Sequence, residues 1–364
     1  MDLKDISVVL PSLDPDEKLL RVVDGLLGQG FTDIILVNDG SKPENMHWFE
    51  TAAGHPEVHL LHHEVNRGKG AALKTAFRWF LENRPGSLGV VTVDGDDQHH
   101  PEDTRACSEQ MLRSGEVILG CRDFSLDHVP PRSRMGNKIT CGVFRVLCGM
   151  TLSDTQTGLR AIPTAAVREF CSVEGDRFEY ETNMLLALKE RQIPYGEVKI
   201  RTVYIEENKS SHFRVVRDSW RIYKLLLGYF FRFLLSSLSS SVVDIALFAL
   251  MSWMVRDAAD WVGMVVPFLA ARVISSAMNF IVNKKLVFRS RTDTRQAAVR
   301  YGLLAVLVAV LQVGLTDGAY LLFGVAPGQV VLRTVIYTLV MTALYFLSYS
   351  AQARWVFAGQ KEKK

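Results

Sequence analysis

The chain has 364 residues, 48% of them apolar and 22% charged, with a formal net charge of +3. That length leaves room for more than one domain, and so small a charge excludes a case for nucleic acid as a partner. The average hides two unlike halves: apolar and charged residues mingle up to about Lys224, and beyond Gly228 the chain is mostly apolar, its charges gathered into short clusters.

The opening MDLKDISVVLP has no basic flank ahead of an apolar core, so no cleaved signal peptide is expected. The β-branched runs ISVVLP, DIILV, VHLLH, LGVVTV and VILG follow, separated by helical patterns near 16–29, 44–53, 69–83 and 101–114. Short strands divided by amphipathic helices predict a doubly wound α/β domain whose mostly parallel sheet is covered on both faces. Ligands of such sheets bind beyond the carboxyl ends of the strands. Both acidic turns, NDGS after DIILV and DGDDQ after LGVVTV, fall at those ends. The five cysteines, Cys107, Cys121, Cys141, Cys148 and Cys171, all lie in this half without a CxxC pair. Buried reduced thiols of a cytosolic domain are expected from them, not disulfides or a zinc site.

Spacing removes several chemistries. An EF-hand loop starting at Asp94 needs glycine at its sixth position and glutamate at its twelfth, and His99 and Arg105 stand there. NRGKGAALKT lacks the spacing of a phosphate loop, and HHEVNR lacks the second histidine of HExxH. The neighbours His62-His63 and His99-His100 diverge on extended backbone and make poor joint ligands. What remains is Asp94-Gly95-Asp96, two carboxylates one residue apart at the end of an apolar strand, with Gln98 following. Such a pair meets one hard divalent cation, Mg2+ or Mn2+, and leaves positions open for phosphate oxygens. That arrangement suits a diphosphate leaving group.

Next, FRVVRDSWRIYKLLL sets Arg214, Arg217, Arg221 and Lys224 beside Trp220 and Tyr223. This is the pattern of an amphipathic helix on a membrane surface, or of an ordinary linking helix. Four apolar stretches follow, at about 231–254, 262–283, 301–323 and 330–350, each long enough to cross a bilayer as a helix. Lys284, Lys285, Arg289, Arg291, Arg295 and Arg300 lie between the second and third, and Arg354, Lys361, Lys363 and Lys364 after the fourth. The other connections carry only Arg256, Asp257 and Asp260, or no charge. Positive connections stay on the cytoplasmic side. A multi-pass protein of the cytoplasmic membrane is expected, with both termini and the first half in the cytoplasm.

The membrane half repeats itself. NFIVNKKLVF ends the second span and YFLSYSAQARWVF the fourth, while RFLLSSL opens the first and RYGLLAV the third. This reads as two hairpins of one ancestry. QARW, one residue short of a QxxRW motif, matches the NKKLVF repeat and is assigned no catalytic role. Asp244 with Arg272, and Asp317 with Arg333, are candidate intramembrane ion pairs. They either pin helices together or line a polar path for a lipid head group.

Six motifs in order, VVLPSLDPDEKL, ILVNDGS, NRGKGAALKTAF, VDGDDQH, GCRD and DTQTGLRAI, resemble a family 2 glycosyltransferase of the GT-A fold. The branch they resemble makes polyprenyl-phosphate sugars, as dolichol-phosphate mannose synthase does, and the likeness runs over about residues 5–225. Residues from about 228 to 357 resemble the four-helix GtrA-like membrane domain associated with lipid-linked sugars. The division so implied is a GT-A domain over 1–212, an interfacial helix over 213–230, the membrane domain over 231–357 and a cytoplasmic tail over 358–364.

The resemblance implies roles position by position. Pro11 and Asp39 would hold the base of the nucleotide, and Asp94, Asp96 and Gln98 the metal. Asp154 and Gln156 would join Asp96 at the reacting centre, with Arg160 supporting their loop. Arg122 with Arg132 or Arg134 would hold the acceptor phosphate, and Lys209 and Ser210 would close over the diphosphate. Lys69 enters a helix near the nucleotide, facing either phosphate or solvent. Read without the family, Asp39 is also a turn former before Gly40 and Asp154 a loop cap. Arg132 and Arg134 make a solvated basic face that equally suits anionic head groups. The sequence departs from the family at Asn38, where a first acid is usual, and at Leu13, Asp14 and Pro15, which leaves open the choice between uridine and guanosine donors.

The implied reaction is inverting transfer from a nucleotide-sugar donor to a polyprenyl phosphate, undecaprenyl phosphate in a bacterial type of architecture. A phosphate monoester is already anionic near pH 7 and needs no general base, so Glu181 would act as a base only toward a hydroxyl acceptor. The rivals are a transferase acting on another membrane lipid hydroxyl, such as diacylglycerol, and a lipid-linked sugar translocator whose first half only binds. Membrane lipids are partners in each case, and a homo-oligomer is compatible with all three.

Overall fold

β-Branched side chains suit a pleated, half-buried surface better than a helix, and every run of them read above as a strand is one. In the computed structural model the described residues are 3–127, 129–203, 215–254, 260–288, 290, 292–326 and 328–357, without the side chains of Arg132, Leu147 and residues 215–223, 225, 226, 229 and 260–265. Two units divide the chain, one of Met1–Gly142 with Thr151–Tyr223 and one of Val143–Met150 with Lys224–Lys364.

The strands of the first unit are β1 (Ile6–Ser12), β2 (Ile34–Asp39), β3 (Val58–His63), β4 (Gly89–Thr92), β5 (Val117–Arg122), β6 (Arg160–Pro163) and β7 (Tyr195–Ile200). The helices are α1 (Lys18–Gly28), α2 (Met46–Ala52), α3 (Lys69–Asn83), α4 (Pro101–Ser114), α5 (Pro131–Val143), α6 (Thr164–Phe170) and α7 (Glu179–Glu190). One sheet runs β3-β2-β1-β4-β6-β5-β7, parallel except for β6, which is antiparallel to both β4 and β5. The expected mostly parallel α/β class is the observed one. β1 and β2 are buried almost throughout, as strands covered on both faces must be. On α1, Leu19, Val22, Val23 and Leu26 recur at helical spacing and are buried, each contributing roughly 1.5–3 kcal/mol.

The reversed strand decides the position of the site. Because β6 runs against its neighbours, the DTQTGL segment just before it arrives at the edge where β4 and β5 end. Thr92 pairs with Arg160, and the Thr92 hydroxyl donates to the Gly158 carbonyl at 2.7 Å. The order also reverses at β1, between β2 and β4, which is where an open α/β sheet holds its ligand.

The second unit carries four membrane-spanning helices. They are α8 (Val215–Met254), α9 (Asp260–Val282), α10 (Thr294–Leu322) and α11 (Val330–Ala351), with spans over Phe230–Met254, Val266–Val287, Thr294–Leu322 and Val330–Val356. The segment expected to be a separate interfacial helix is instead continuous with the first span: α8 runs unbroken for 40 residues. No proline interrupts it, and Gly228 alone does not break a helix.

The repeat is visible in three dimensions. The second and fourth spans each close in a π-helical turn, Asn283–Val287 and Gln352–Val356. Their first residues are buried, and Asn283 Nδ2 donates to Gln352 Oε1 at 2.9 Å. The phenylalanines that follow, Phe288 and Phe357, stack with centroids 5.1 Å apart. Ser236 donates to Asn283 Oδ1, Asn283 to Asn279 Oδ1, and Tyr301 also to Asn279 Oδ1, so amides and hydroxyls of all four helices satisfy one another at this end.

Asp244 pairs with Arg272 at 3.4 Å as expected and accepts from Ser275 at 2.7 Å. The pair expected between Asp317 and Arg333 does not form. Arg333 lies over the Tyr320 ring, 4.2 Å from its centroid, where an aromatic face within the chain's own hairpin satisfies the cation. Cys107, Cys121 and Cys148 are buried, and Cys141 and Cys171 half-buried.

Candidate active site

The acid pair at the end of β4 faces a lysine. Lys69 Nζ lies 2.7 Å from Asp94 Oδ1 and 3.0 Å from Glu181 Oε1, and His99 Nε2 lies 3.5 Å from Asp94 Oδ2. Burial works against both charges, yet the ion pair outweighs it. Lys69 is held above the ordinary range of a lysine, and the Asp94 carboxyl far below that of a carboxylate. Asp96 goes the other way: burial first, then the charge on Asp94, push its carboxyl up. The backbone N–H of Gln98 donates to Asp96 Oδ1 at 3.2 Å, and Asp97, in the left-handed region at φ 63°, accepts from Arg21 at 3.1 Å. The acidic turn is thereby fixed from both sides.

Lys69 is placed by its neighbours. Gly68 has φ 103°, and a Cβ there would lie 2.4 Å from the Asp176 carbonyl oxygen, so only glycine lets the chain turn into α3 against that backbone. The Asp39 carboxylate fastens the same loop. It accepts from His63 Nδ1 at 2.7 Å, from the Arg67 N–H at 3.0 Å and from the Gly68 N–H at 2.7 Å. Its oxygens therefore tie the end of β2 to the NRGKG loop. Pro11 is buried in β1 opposite Val37. The two departures from the family pattern also build this wall: Asn38 accepts from the Ser41 N–H, and Asp14 accepts from the Lys42 N–H and Asn45.

DTQTG meets the acid pair directly. A Cβ on Gly158 would stand 2.3 Å from Asp94 Oδ2, so the loop presses on that carboxylate through a glycine. Asp154, fully buried, is gripped by Arg122, with Nε at 2.7 Å and Nη2 at 3.2 Å, and it accepts from the Gln156 N–H at 2.8 Å. The Gln156 side chain is exposed. Arg160, 2% exposed, donates to the carbonyls of Thr157 and Glu181 at 3.2 and 2.9 Å. Its Nη2 has no partner, and burial lowers its pKa.

The structure thus gathers Asp94, Asp96, Gln98, Lys69, Asp154, Gln156, Arg122 and Arg160 at one sheet edge. Arg134, on α5, is exposed and donates to the Leu126 carbonyl. Arg132 is on α5, and Lys209 and Ser210 lie outside the described residues. Glu181, expected there only as a base toward a hydroxyl acceptor, joins the cluster as the second partner of Lys69, and His99 joins it without having been assigned to it. Glu181 is a turn into α7 with no motif around it, and His99 is the inward member of a divergent pair whose other member, His100, faces Arg201.

Known proteins resemble the two parts of the chain. Residues 7–164 match the family described as glycosyl transferase family 2, and residues 232–357 match the GtrA/DPMS transmembrane domain. The protein is a membrane glycosyltransferase. It joins a family 2 glycosyltransferase domain to a GtrA/DPMS domain whose four helices are long and apolar enough to cross a membrane. The UDP-N-acetylglucosamine–dolichyl-phosphate N-acetylglucosaminyltransferase of Methanococcus voltae is 26% identical over 242 residues, 62% of this chain and 96% of that protein. The undecaprenyl-phosphate mannosyltransferase of Micrococcus luteus is 28% identical over 159 residues, 42% of this chain and 64% of that protein. Among solved structures, glucosyl-3-phosphoglycerate synthase from Mycobacterium tuberculosis with UDP superposes with a TM-score of 0.48 at 16% identity, covering 61% of this chain and 79% of that one.

Proposed function

We propose that the protein transfers a sugar, with inversion, from a nucleotide-sugar donor to a polyprenyl phosphate, undecaprenyl phosphate in a bacterial cell, at the cytoplasmic face of the cytoplasmic membrane. What supports this most is the state of the acids beside the reacting edge. Asp154 is buried beneath the fork of Arg122, and Glu181 is tied to Lys69. Neither is poised to take a proton from a hydroxyl, and a lipid phosphate, with a second pKa of about 6, presents none that must be removed. The two relatives named above carry dolichyl and undecaprenyl phosphate in their names. The cytoplasmic orientation is supported by Lys284, Lys285, Arg295, Arg300 and Arg354, which lie at the ends of spans on the basic side.

An oxygen of the lipid phosphate attacks the anomeric carbon as the bond from that carbon to the donor's diphosphate breaks. The diphosphate leaves with the electron pair, and no proton changes hands. Two carboxylates in one turn, which make no metal-holding group of three His, Cys, Asp or Glu among the described residues, fit an ion that keeps water and phosphate oxygens in its shell. Mg2+ or Mn2+ on Asp94 and Asp96, with Gln98 in the same turn, would neutralise the charge growing on the diphosphate. Arg160 holds the DTQTG loop to α7 and so keeps Gly158 beside Asp94. Arg122, aimed by Asp154, is assigned to the acceptor phosphate with Arg132 and Arg134. Lys209 and Ser210 are assigned to the diphosphate, and Pro11 with the Asp39 turn to the base.

The test is transfer into organic-extractable lipid. Full-length protein, undecaprenyl phosphate, Mg2+ or Mn2+ and a panel of labelled nucleotide sugars should yield a phosphate-linked glycolipid. The label should vanish with EDTA and in Asp96→Asn. Label found in diacylglycerol instead would sink the phosphate acceptor, and no label from any donor would sink the transfer itself.

A further inference from the structure

Lys69 stands where a cation is wanted. Its ammonium is shared between Asp94 and Glu181, and its side chain is 18% exposed. The backbone that carries it is fixed. A Cβ on Gly70 would lie 2.5 Å from Tyr180 Cβ, so the first turn of α3 is pressed against the turn of α7 that carries Glu181. The lysine therefore neutralises one of the two carboxylates a divalent ion would use. The other, Asp96, is left beside a charge of its own sign.

An ion entering alone meets two obstacles. It must displace an ammonium from Asp94 Oδ1, and it finds only two carboxylates, since no group of three His, Cys, Asp or Glu side chains that could hold an ion occurs among the described residues. A nucleoside diphosphate removes both. Its oxygens complete the ion's coordination, and its charge gives the ammonium a new partner.

We infer that Lys69 is a resident countercation, held to Glu181, that passes from Asp94 to the incoming diphosphate, so that the divalent ion binds tightly only together with the nucleotide. This rests on the assignment of Asp94 and Asp96 as metal ligands under Proposed function. The roles differ in kind: Lys69 touches the diphosphate, and Glu181 is a positioning residue acting through it.

Mn2+ binding, read from the EPR signal of the free ion, tests this on full-length protein in nanodiscs with and without UDP or GDP. In the wild type, either diphosphate should tighten Mn2+ by about tenfold or more, a coupling of about 1.4 kcal/mol. Without nucleotide, Lys69→Met should bind Mn2+ about tenfold more tightly than the wild type and lose most of the coupling. Glu181→Gln, which leaves the ammonium to Asp94 alone, should shift the other way and bind more weakly. These opposite signs are not what a general loss of folding gives, and Lys69→Arg, which keeps a cation, should stay near the wild type. Mn2+ bound no better by Lys69→Met than by the wild type overturns the inference. The metal assignment then still stands if Asp96→Asn abolishes binding in the presence of UDP or GDP. No Mn2+ bound by the wild type under any condition removes the metal site and the inference with it.

Discussion

Arg122 closes on Asp154 as a fork, Nε at 2.7 Å from one carboxylate oxygen and Nη2 at 3.2 Å from the other. Lysine offers a point charge where arginine offers a planar pair of donors. Arg122→Lys should keep the fold and lower transfer to lipid phosphate by about 100-fold, the scale of an ångström of misplacement at a reacting centre. Arg122→Ala should also destabilise the domain, by about 3–5 kcal/mol, because it leaves a buried carboxylate without its partner. Transfer rates and thermal unfolding of the two variants check this. A lysine variant with wild-type transfer would show the fork to be dispensable.

Gly158 is the point where two loops touch. Gly158→Ala places a methyl group 2.3 Å from where Asp94 Oδ2 now lies, so the carboxylate or the loop must move. Transfer should fall by about 100-fold while the circular dichroism spectrum is unchanged.

How much of this was legible in the sequence follows from range. Val90 to Val93, running into Asp94 and Asp96, announce a strand and the chemistry at its end within a few residues, and α1 shows its buried stripe as directly. β6 announces nothing, because Arg160–Pro163 is too short for a period, and its reversal depends on the strands beside it. The contact of Lys69 with Glu181 is a product of α3 packing on α7, and no local pattern encodes it. The motifs gave Asp39 as a ligand of the base. Its three hydrogen bonds to His63, Arg67 and Gly68 come from loops that meet only in the folded sheet.

The thiols predict a pH response. Burial pushes Cys107 up to about 12 and Cys141 up to about 11. Above pH 9 the unfolded chain therefore loses these protons while the folded one keeps them, and stability falls as pH rises. Denaturation midpoints should drop between pH 8 and 10.5, and Cys107→Ser should flatten the drop. Maleimide at pH 7.5 should label Cys107 only after unfolding.

The membrane end of the hairpins can be tested as a pair. Asn283→Leu and Gln352→Leu each leave the other amide without its partner, so the double variant should lose less than the sum of the singles. A coupling of about 0.6 kcal/mol is the usual scale inside a bilayer. Unfolding of the four proteins in mixed detergent micelles gives that number. A coupling of zero would mean that Ser236 and Asn279 satisfy Asn283 by themselves.

That same pair has a consequence for history. A hairpin ending in an amide and a phenylalanine holds only half of a closure: Ser236 and Asn279 reach Asn283 from its own hairpin, and the bond to Gln352 comes only from the other. The simplest remedy for a lone hairpin is a copy of itself, turned so that the two amides meet. Joining the copies into one chain replaces an encounter within the bilayer by a permanent contact. It also frees each half to differ, and asparagine stands on one side of that contact and glutamine on the other.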